Sequence, residues 1–300
     1  MANSDVVGTA VGYTAAGEPA VLVFTKRPDV AGLPRKLDGV SVAVHVTGEI
    51  VAFDAPLGKG GNSPNAVTKI DPKVRFTRPV PIGVSTGNKN ECASGTIGAR
   101  VTKGTNVYAL SNNHVYAREN AASLGEEVLQ PGRYDTGCVY DSSNHLGNLA
   151  AFASIVFSDT ASNTIDAAIA SSSTSLLGNA TPANGYGLPK TTLASAVVGQ
   201  AVQKYGRTTS LTKGTVVGVN ATVNINYGAA GVARFVDQIV VLGTKPFSKA
   251  GDSGSLIVTD SGRNPVGLLF AGSSNGYTFA NRIDLVLSNF DVTIDGDPLP

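Results

Sequence analysis

The amino-acid sequence predicts a mainly β protein. Its apolar runs are short, rich in Val, Ile and Ala, and interrupted by Gly, Asn, Ser and Pro. Helical periodicity is nearly absent, and short runs bounded by turn residues are typical of a sandwich or a barrel. With 300 residues, 42% of them hydrophobic and 15% charged, the chain can bury a sizeable core in one large domain or two modest ones.

The first ninety residues differ in texture from the rest. "VVGTAVGYTAAGEPAVLVFTK" predicts two strands around a glycine-containing turn, and "GVSVAVHVTGEIVAF" predicts another pair. The segment between them, "RPDVAGLPRKL", is either a loop or a short helix. We therefore expect a small N-terminal accessory α+β unit, followed by a Pro- and Gly-rich tether from Asp54 to Asn90. The predicted domains are residues 1–90 and 91–300.

From residue 95 onward the candidate strands form two sets. The first set is "GTIGARV", "NVYALSN", "EEVLQ", "NLAAFASIVF" and "TIDAAIA". The second is "AVQKYG", "GTVVGVNATVNI", "FVDQIVVL", "SGSLIVT", "NPVGLLFAG" and "YTFANRI". The small, polar segment between the sets reads as a surface linker, and only "RIDLVLSNF" near the end predicts a short helix.

Charge and hydropathy exclude several classes of partner. The formal net charge is +1, and no basic run is interleaved with aromatic residues, so we expect neither nucleic acid nor a membrane as partner. No run of about eighteen apolar residues occurs. The N-terminus lacks the basic start and apolar core of a secretory signal, which predicts a cytoplasmic chain; a secreted chain after signal removal would look the same. A homo-oligomer remains open.

Two cysteines, Cys92 and Cys138, are too few for a disulfide scaffold, and their spacing is not that of a metal-binding pair. The first expectation is two unpaired thiols. The alternative is one bridge that closes a long loop, because both residues lie in Gly-rich or polar segments. No metal and no cofactor are predicted.

The segment "KAGDSGSLIV" combines a sharp turn with a hydroxyl. Two glycines, Gly251 and Gly254, flank Asp252 and Ser253, and an apolar, β-prone run follows at once. Glycines permit backbone conformations that a Cβ would resist, and they leave backbone N–H groups able to bind an anion. The pattern predicts a turn that presents the serine and can bind an oxyanion.

A serine hydroxyl needs a neighbouring base, and histidine is the usual one. The chain has three histidines. His45 alternates with valines in a predicted strand, and His145 lies in a polar loop, so both read as ordinary residues. His114 ends a strand where the chain turns among small polar residues, which is where a working side chain is found on a rigid scaffold.

The base in turn needs a group that fixes its tautomer. Asp166 lies in the small apolar run "NTIDAAIAS", where a charge is rarely placed without a partner. A buried aspartate that caps a turn is the structural alternative, and Asp237 in "FVDQIVV" is the rival candidate. The order His114, Asp166, Ser253 places histidine and aspartate in the first β-set and serine in the second, so the site is expected in a cleft between them.

At this point the motifs resemble those of chymotrypsin-like serine peptidases, in that family's chain order. "LSNNHV" resembles the histidine segment, "TIDAAIA" the aspartate segment and "GDSGSLIV" the nucleophile turn, while "QKYGRTTSLTKGTV" resembles a segment of bacterial members of the α-lytic type. The resemblance covers roughly residues 92 to 292. It implies a chymotrypsin-like double β-barrel and a serine endopeptidase.

The resemblance also implies roles. Ser253 would attack a carbonyl carbon, His114 would take and return the proton, and Asp166 would hold the imidazole. The N–H groups of Gly251 and Ser253 would form the oxyanion hole. Two departures stand beside the histidine, Asn113 in place of a small residue and Val115 in place of a cysteine. Asp252 has no freshly cut amine to pair with, so it needs another partner or awaits cleavage.

The family's specificity pocket maps onto Phe247 at its base and onto a wall of Phe270, Ala271, Gly272 and Gly276. No acidic residue marks it, which favours an apolar or small substrate side chain over Lys or Arg. A core position for Phe247 beneath the turn is the alternative. Two functions remain: an endopeptidase acting on proteins or peptides, and a catalytically silent, peptidase-like binding module or scaffold.

Overall fold

The computed structural model describes residues 3–52 and 70–298. In these ranges the chain forms strands β1 to β19 and helices α1 and α2, with 3-10 turns at Arg133–Thr136, Ser142–Asn144 and Gly228–Ala230. The strands are β1 (Val6–Tyr13), β2 (Pro19–Thr25), β3 (Lys36–Leu37), β4 (Val40–Val46), β5 (Ile50–Ala52), β6 (Ser85–Asn88), β7 (Gly95–Thr96), β8 (Ala99–Lys103), β9 (Asn106–Ser111), β10 (Glu127–Leu129), β11 (His145–Phe152), β12 (Ala168–Ser172), β13 (Ala201–Gly206), β14 (Ser210–Asn226), β15 (Val232–Leu242), β16 (Leu256–Thr259), β17 (Pro265–Ser273), β18 (Tyr277–Arg282) and β19 (Thr293–Ile294). The helices are α1 (Asn113–Tyr116) and α2 (Ile283–Phe290).

The strands form two sheets, which correspond to the two predicted β-sets. The first sheet has eight strands in the order β19-β8-β9-β12-β11-β10-β6-β7. The second runs β13-β16-β17-β18-β15-β14, and an additional pairing of β13 with β14 closes these six strands on themselves. The predicted mainly β, double-barrel class is confirmed.

The N-terminal strands extend the second sheet. β1 pairs antiparallel with β14, β2 pairs with β1, and β4 runs parallel to β2. Phe24 and Ile50 are buried in one apolar cluster with Phe235 and Phe279 of the second sheet. The α+β description of this unit is wrong for residues 3–52, which contain no helix. Pro28 and Pro34 explain why, because proline interrupts helical hydrogen bonding in the segment between β2 and β4.

Part of the predicted tether belongs to the first sheet. Val80, Ile82 and Val84 are buried in that sheet's core, and β6 pairs with β10. The remaining tether residues, 53–69, lie outside the described residues. The division at residue 90 stays a prediction, although strands from both sides of it contribute to the two sheets.

A third apolar cluster joins the sheets. It combines Leu110 and Ile169 of the first sheet with Leu256 and Leu268 of the second, and α2 adds Ile283 and its neighbours. The predicted C-terminal helix therefore exists, and its apolar face closes this joint. The cluster fixes the relative position of the strand ends that carry the candidate site.

Cys92 and Cys138 form a disulfide, with their Cα atoms 5.1 Å apart and a sequence separation of 46. The expectation of two unpaired thiols is wrong, and the long-loop alternative is correct. Sequence spacing alone could not reveal this, because the approach depends on the pairing of β6, β7 and β10. Within residues 3–52 and 70–298, no helix is long and apolar enough to cross a membrane.

Candidate active site

The structure brings His114 and Asp166 together at the edge of the first sheet. His114 lies in the single turn of α1 that follows β9, and Asp166 lies two residues before β12, the neighbour of β9. His114 Nδ1 is 2.5 Å from Asp166 Oδ2, and the His114 backbone N–H donates to Asp166 Oδ1 at 3.2 Å. Both side chains are fully buried. The Asp166 carboxylate therefore contacts both the imidazole ring and the backbone N–H of His114.

Asp166 is in turn fixed by residues around it. Its backbone N–H donates to Asn281 Oδ1 at 3.0 Å, and its carbonyl accepts from Asn112 Nδ2 at 2.6 Å. The Tyr227 hydroxyl donates to Asp166 Oδ2 at 2.8 Å. Asn281 and Tyr227 come from the second sheet, so the aspartate lies where the two sheets meet.

The turn around Ser253 depends on its two glycines. Gly251 has φ of 91° and Gly254 has φ of 92°, in the left-handed region that favours glycine. A Cβ on Gly254 would overlap Ser111 Oγ and the Thr96 carbonyl, and one on Gly251 would overlap the Arg207 guanidinium. The bend predicted from the sequence is therefore required both by conformation and by close packing.

The first sheet holds this turn from the other side. Thr96 in β7 donates its N–H to the Ser253 carbonyl at 2.7 Å and its hydroxyl to the Gly251 carbonyl at 2.9 Å. A Cβ on Gly95 would lie 2.5 Å from Val115 Cγ2 and 3.0 Å from the Ser253 carbonyl oxygen. The residue after His114 and the nucleophile turn are thus separated by the width of one glycine.

Asp252 finds its partners inside the chain. Oδ1 accepts from the backbone N–H groups of Thr208 and Thr209, at 2.8 and 3.1 Å. Oδ2 accepts from Thr209 Oγ1 at 2.7 Å and from the Lys249 N–H at 2.9 Å, and Lys204 Nζ lies 3.8 Å away. Burial lowers the pKa of Lys204 to about 8, against the opposing effect of Asp252.

A buried ion pair connects the turn to the disulfide loop. Arg207 donates from Nε and Nη2 to the two carboxylate oxygens of Asp135, at 2.7 and 2.5 Å, and both side chains are buried. Asp135 lies three residues before Cys138. Because the Arg207 guanidinium also packs against Gly251, this ion pair helps to hold the turn around Ser253 in place.

The other candidates lie elsewhere. His45 Nδ1 is 2.8 Å from the Tyr277 hydroxyl, and burial lowers its pKa; His145 Nε2 is 3.1 Å from Asn148 Oδ1. Asp237 pairs with Arg282 at 2.8 Å, away from His114. These findings favour Asp166 over its rival. Among the described residues, no group of three or more His, Cys, Asp or Glu side chains could hold a metal ion.

A pocket of about 660 Å³ adjoins the nucleophile turn. Its walls are Ser248–Ala250 just before the turn, Ser273–Gly276 at the end of β17 and in the turn that follows it, Leu242–Pro246 and Val51. Of the five predicted substrate-binding residues, only Gly276 lines it. Phe247 is packed among Val202, Val216 and other core residues, which is the alternative foreseen for it, and Phe270, Ala271 and Gly272 form the strand behind. Ser248, the next residue in the chain, lines this space. The assignment of Phe247, Phe270, Ala271, Gly272 and Gly276 to a substrate pocket stays a prediction.

Strand β5 lies along the sheet edge that leads to the nucleophile. It pairs antiparallel with β17, with Ala52 opposite Ala271 and Ile50 opposite Ser273. The residue next to Ala271 is Phe270, whose carbonyl accepts a hydrogen bond from Ser253 Oγ at 3.3 Å. Ser253 itself is fully buried. Ala52 of the N-terminal unit therefore pairs with the residue next to Phe270, which is the residue that Ser253 contacts.

The sequence and fold resemble those of bacterial serine peptidases. Streptogrisin-A of Streptomyces griseus is 38% identical over 115 residues, which are 37% of this chain and 36% of that protein. Serine protease 2 of Streptomyces fradiae is 38% identical over 92 residues, 31% of this chain and 48% of that protein. Protease A of Thermobifida fusca matches with a TM-score of 0.52 at 21% identity, over 72% of this chain and 98% of that one. The chain has the chymotrypsin-like fold of these peptidases.

The sequence matches cover only part of the chain. The chain spans less than half of the length of the curated relatives that it matches. A family model described as the Nal1 C-terminal domain matches residues 161–295, which include Asp166 and Ser253 but not His114. The predicted resemblance to bacterial chymotrypsin-like peptidases is nevertheless confirmed, and the three motif residues fall at the junction of the two barrels.

The sequence did not single out Tyr227 or Asn281 around Asp166. A signal for Tyr227 exists, because Val223, Ile225 and Tyr227 alternate in "TVNINY" and all three are buried. Alternation predicts which face a side chain occupies. It cannot predict that this face of the chymotrypsin-like fold meets an aspartate 61 residues away in sequence.

Proposed function

We propose that the chain is a serine endopeptidase that cleaves protein or peptide substrates through an acyl-enzyme. The observation that carries the proposal is the buried His114–Asp166 pair beside the glycine-flanked turn of Ser253. The likeness to streptogrisin-A supports it. No nucleic acid, membrane or cofactor is part of the proposed reaction, and a homo-oligomer remains a prediction.

In the proposed reaction, Ser253 Oγ attacks the substrate carbonyl carbon while the His114 imidazole takes the hydroxyl proton. The proton then passes to the leaving amine, and the C–N bond breaks to leave an ester on Ser253. Water, activated by the same imidazole, hydrolyses this ester and regenerates the hydroxyl. Asp166 keeps the proton on Nδ1, so that Nε2 is the basic nitrogen.

The oxyanion of each tetrahedral intermediate would be bound by the N–H groups of Gly251 and Ser253. Losing one such donor typically costs about 2.7 to 4 kcal/mol of transition-state stabilisation. The Asp252 hydrogen bonds and the Thr96 contacts support this role, because they fix the peptide planes of the turn before any substrate binds. Substrate side chains would enter the pocket beside Ser248 and Gly276.

The second candidate is a catalytically silent binding module, and the burial of Ser253 is the observation that favours it. A fluorophosphonate probe separates the two, because it labels only an activated serine. The wild-type chain, the Ser253→Ala variant and the chain nicked in residues 53–69 should be compared. Labelling of the wild-type or nicked chain, absent from the variant, supports the peptidase. Labelling of none would establish the silent module.

We propose that the N-terminal unit modulates access to the cleft or mediates assembly, and the position of β5 favours the first role. An extended peptide binds such a site by adding a strand to a free sheet edge. At β17 that edge carries β5, and Val51 also lines the pocket. A substrate backbone that pairs with Ala271 and Gly272 would therefore compete with β5.

Replacing Ala52 tests this competition. Ala52→Pro removes a backbone N–H from β5 and disfavours its pairing with β17. Ala52→Val keeps this N–H and the strand pairing, so it serves as the control. We expect faster fluorophosphonate labelling and faster peptide hydrolysis in the proline variant alone. Slower reactions in the proline variant, with an unchanged melting temperature, would show instead that β5 completes the substrate site.

Limited proteolysis gives an independent measure. The sequence predicts a cut between about residue 55 and residue 95, and the burial of Val80, Ile82 and Val84 in the first sheet narrows this to a cut before Val80, with hydrolysis retained or raised. Because β1 pairs with β14, we expect residues 3–52 to remain bound to the rest of the chain after the cut. Size-exclusion chromatography of the nicked chain should show one peak. Unfolding or complete loss of activity in a chain that still labels would contradict the modulating role.

A further inference from the structure

Tyr227 contacts the histidine–aspartate pair from the second sheet. It follows the last residue of β14, and only 4% of its surface is exposed. Its hydroxyl donates to Asp166 Oδ2 at 2.8 Å, the same oxygen that lies 2.5 Å from His114 Nδ1. Its ring also meets the imidazole edge to face, with centroids 6.0 Å apart.

Neighbouring groups hold the Tyr227 ring in this place. Phe235 stacks on it at 6.2 Å, and Phe157 packs edge-on at 5.5 Å. The Tyr227 backbone N–H donates to the Gly231 carbonyl at 2.9 Å, which closes the turn between β14 and β15. The hydroxyl is therefore presented to Asp166 by a ring that has little freedom to turn.

We propose that Tyr227 is a positioning residue of the reaction, acting on His114 through Asp166. The inference rests on the proposed peptidase function. A carboxylate with one anchored oxygen can rotate about its Cβ–Cγ bond, and the imidazole bound to it would follow. The Tyr227 hydroxyl fixes Oδ2, while the His114 backbone N–H fixes Oδ1.

The hydroxyl also shares the charge of the carboxylate. A donor on Oδ2 stabilises the ionised aspartate and withdraws part of its negative charge from Nδ1. Without that donor, the carboxylate would hold the imidazolium more strongly, and the imidazole would titrate at higher pH. A second consequence is a less uniform ring orientation, which lowers the rate at which Ser253 gives up its proton.

Asp166 and Tyr227 are titratable groups that contact the imidazole. Two strands packed against α1, β6 (Ser85–Asn88) and β12 (Ala168–Ser172), contain no titratable residue. A change in the titration of His114 in a Tyr227 variant, absent from a variant of another buried tyrosine, would therefore report on the aspartate–tyrosine contact.

The test compares Tyr227→Phe with Tyr116→Phe. Tyr116 is also fully buried, and its hydroxyl is 3.3 Å from Thr86 Oγ1 in the first sheet. Each variant therefore removes one buried hydroxyl. For Tyr227→Phe we expect kcat/KM to fall about tenfold, mainly through kcat, because a hydrogen bond to a charged group is lost. For Tyr116→Phe we expect kcat/KM within about twofold of wild type.

The pH profile gives the readout that a merely structural role would not move. We expect the acid limb of kcat/KM to shift upward by about half a pH unit in Tyr227→Phe, and not in Tyr116→Phe. An unshifted limb, or an equal loss of rate in both variants, would overturn the proposal. Either result would leave the peptidase function standing.

Nuclear magnetic resonance separates failure of the proposal from failure of the function. The proton between His114 Nδ1 and Asp166 should resonate far downfield, and His114→Ala identifies it. We expect this resonance to shift in Tyr227→Phe and to stay in place in Tyr116→Phe, whether or not the chain hydrolyses peptides. A resonance that does not change in Tyr227→Phe would overturn the proposal even in an active enzyme.

Discussion

The two barrels contribute different residues to the candidate site, and each barrel holds in place the residues that the other contributes. The first sheet carries His114 and Asp166, but Tyr227 and Asn281 of the second sheet hold the aspartate. The second sheet carries the Ser253 turn, but Thr96 of the first sheet holds its carbonyl groups. The site therefore depends on the docking of the barrels, and neither barrel could assemble it alone.

Removing the nucleophile should have the largest effect on activity and almost none on this docking. Ser253→Ala deletes one hydroxyl and leaves the backbone contacts with Thr96 in place. We expect hydrolysis to fall by about a millionfold, as for nucleophiles that act as one unit with their base. The melting temperature should stay close to that of wild type. Equal peptide hydrolysis by the variant would refute the peptidase proposal.

Breaking the cross-barrel ion pair should have the next largest effect. Arg207→Met leaves Asp135 buried without its bidentate partner, which typically costs about 3–5 kcal/mol of folding free energy. Urea unfolding measures this loss. Because Arg207 also packs against Gly251, hydrolysis per folded molecule should fall as well.

The matched double variant sharpens the result. Asp135→Leu added to Arg207→Met removes the stranded charge, so we expect part of the stability to return without the lost activity. Recovery of both would mean that Arg207 contributes to stability but does not position the turn.

The disulfide acts within the first barrel and lies next in order of effect. Cys92 and Cys138 are 46 residues apart, and their loop includes His114 and Asp135. Chain-entropy arguments give about 4 kcal/mol for a loop of this length, commonly less when measured. A Cys92→Ala and Cys138→Ala double variant should unfold at lower urea concentration. Dithiothreitol should lower the midpoint of wild type and leave that of the double variant unchanged.

The smallest effect on stability is expected for Glu126, whose contacts with Arg118 and Ser123 lie within the first barrel and do not connect the two barrels. Burial raises the pKa of Glu126, but hydrogen bonds from Arg118 and the Ser123 N–H outweigh it and bring the pKa down to about 2. Since that folded value lies below 4.5, its contribution to stability is complete above pH 4.5 and is lost as pH falls toward 2. As the pH falls through this window, the melting temperature of wild type should therefore decline more steeply than that of Glu126→Gln. Parallel curves would contradict this assignment.

The sequence predicted what is local and missed what depends on docking. The turn of Gly251 and Gly254, most of the longer strands and α2 follow from neighbouring residues, so pattern and spacing were sufficient for them. The short strands β3, β6 and β19 were not predicted. The pairing of β1 with β14 was missed, because alternation defines a strand and not its partner. Tyr227 was missed, and the disulfide was foreseen only as an alternative, for the same reason, since each depends on chain segments that meet only in the folded molecule.

The partners of Asp252 have a consequence for how such a molecule could be controlled in time. Thr208, Thr209 and Lys249 already occupy both carboxylate oxygens, and Lys204 brings a positive charge from within the barrel. A newly cut amino terminus would therefore have to displace these partners to pair with the Asp252 carboxylate. In the proposed peptidase, the nucleophile turn is therefore fixed when the chain folds rather than when the chain is processed, and control in time would have to act on access to the site.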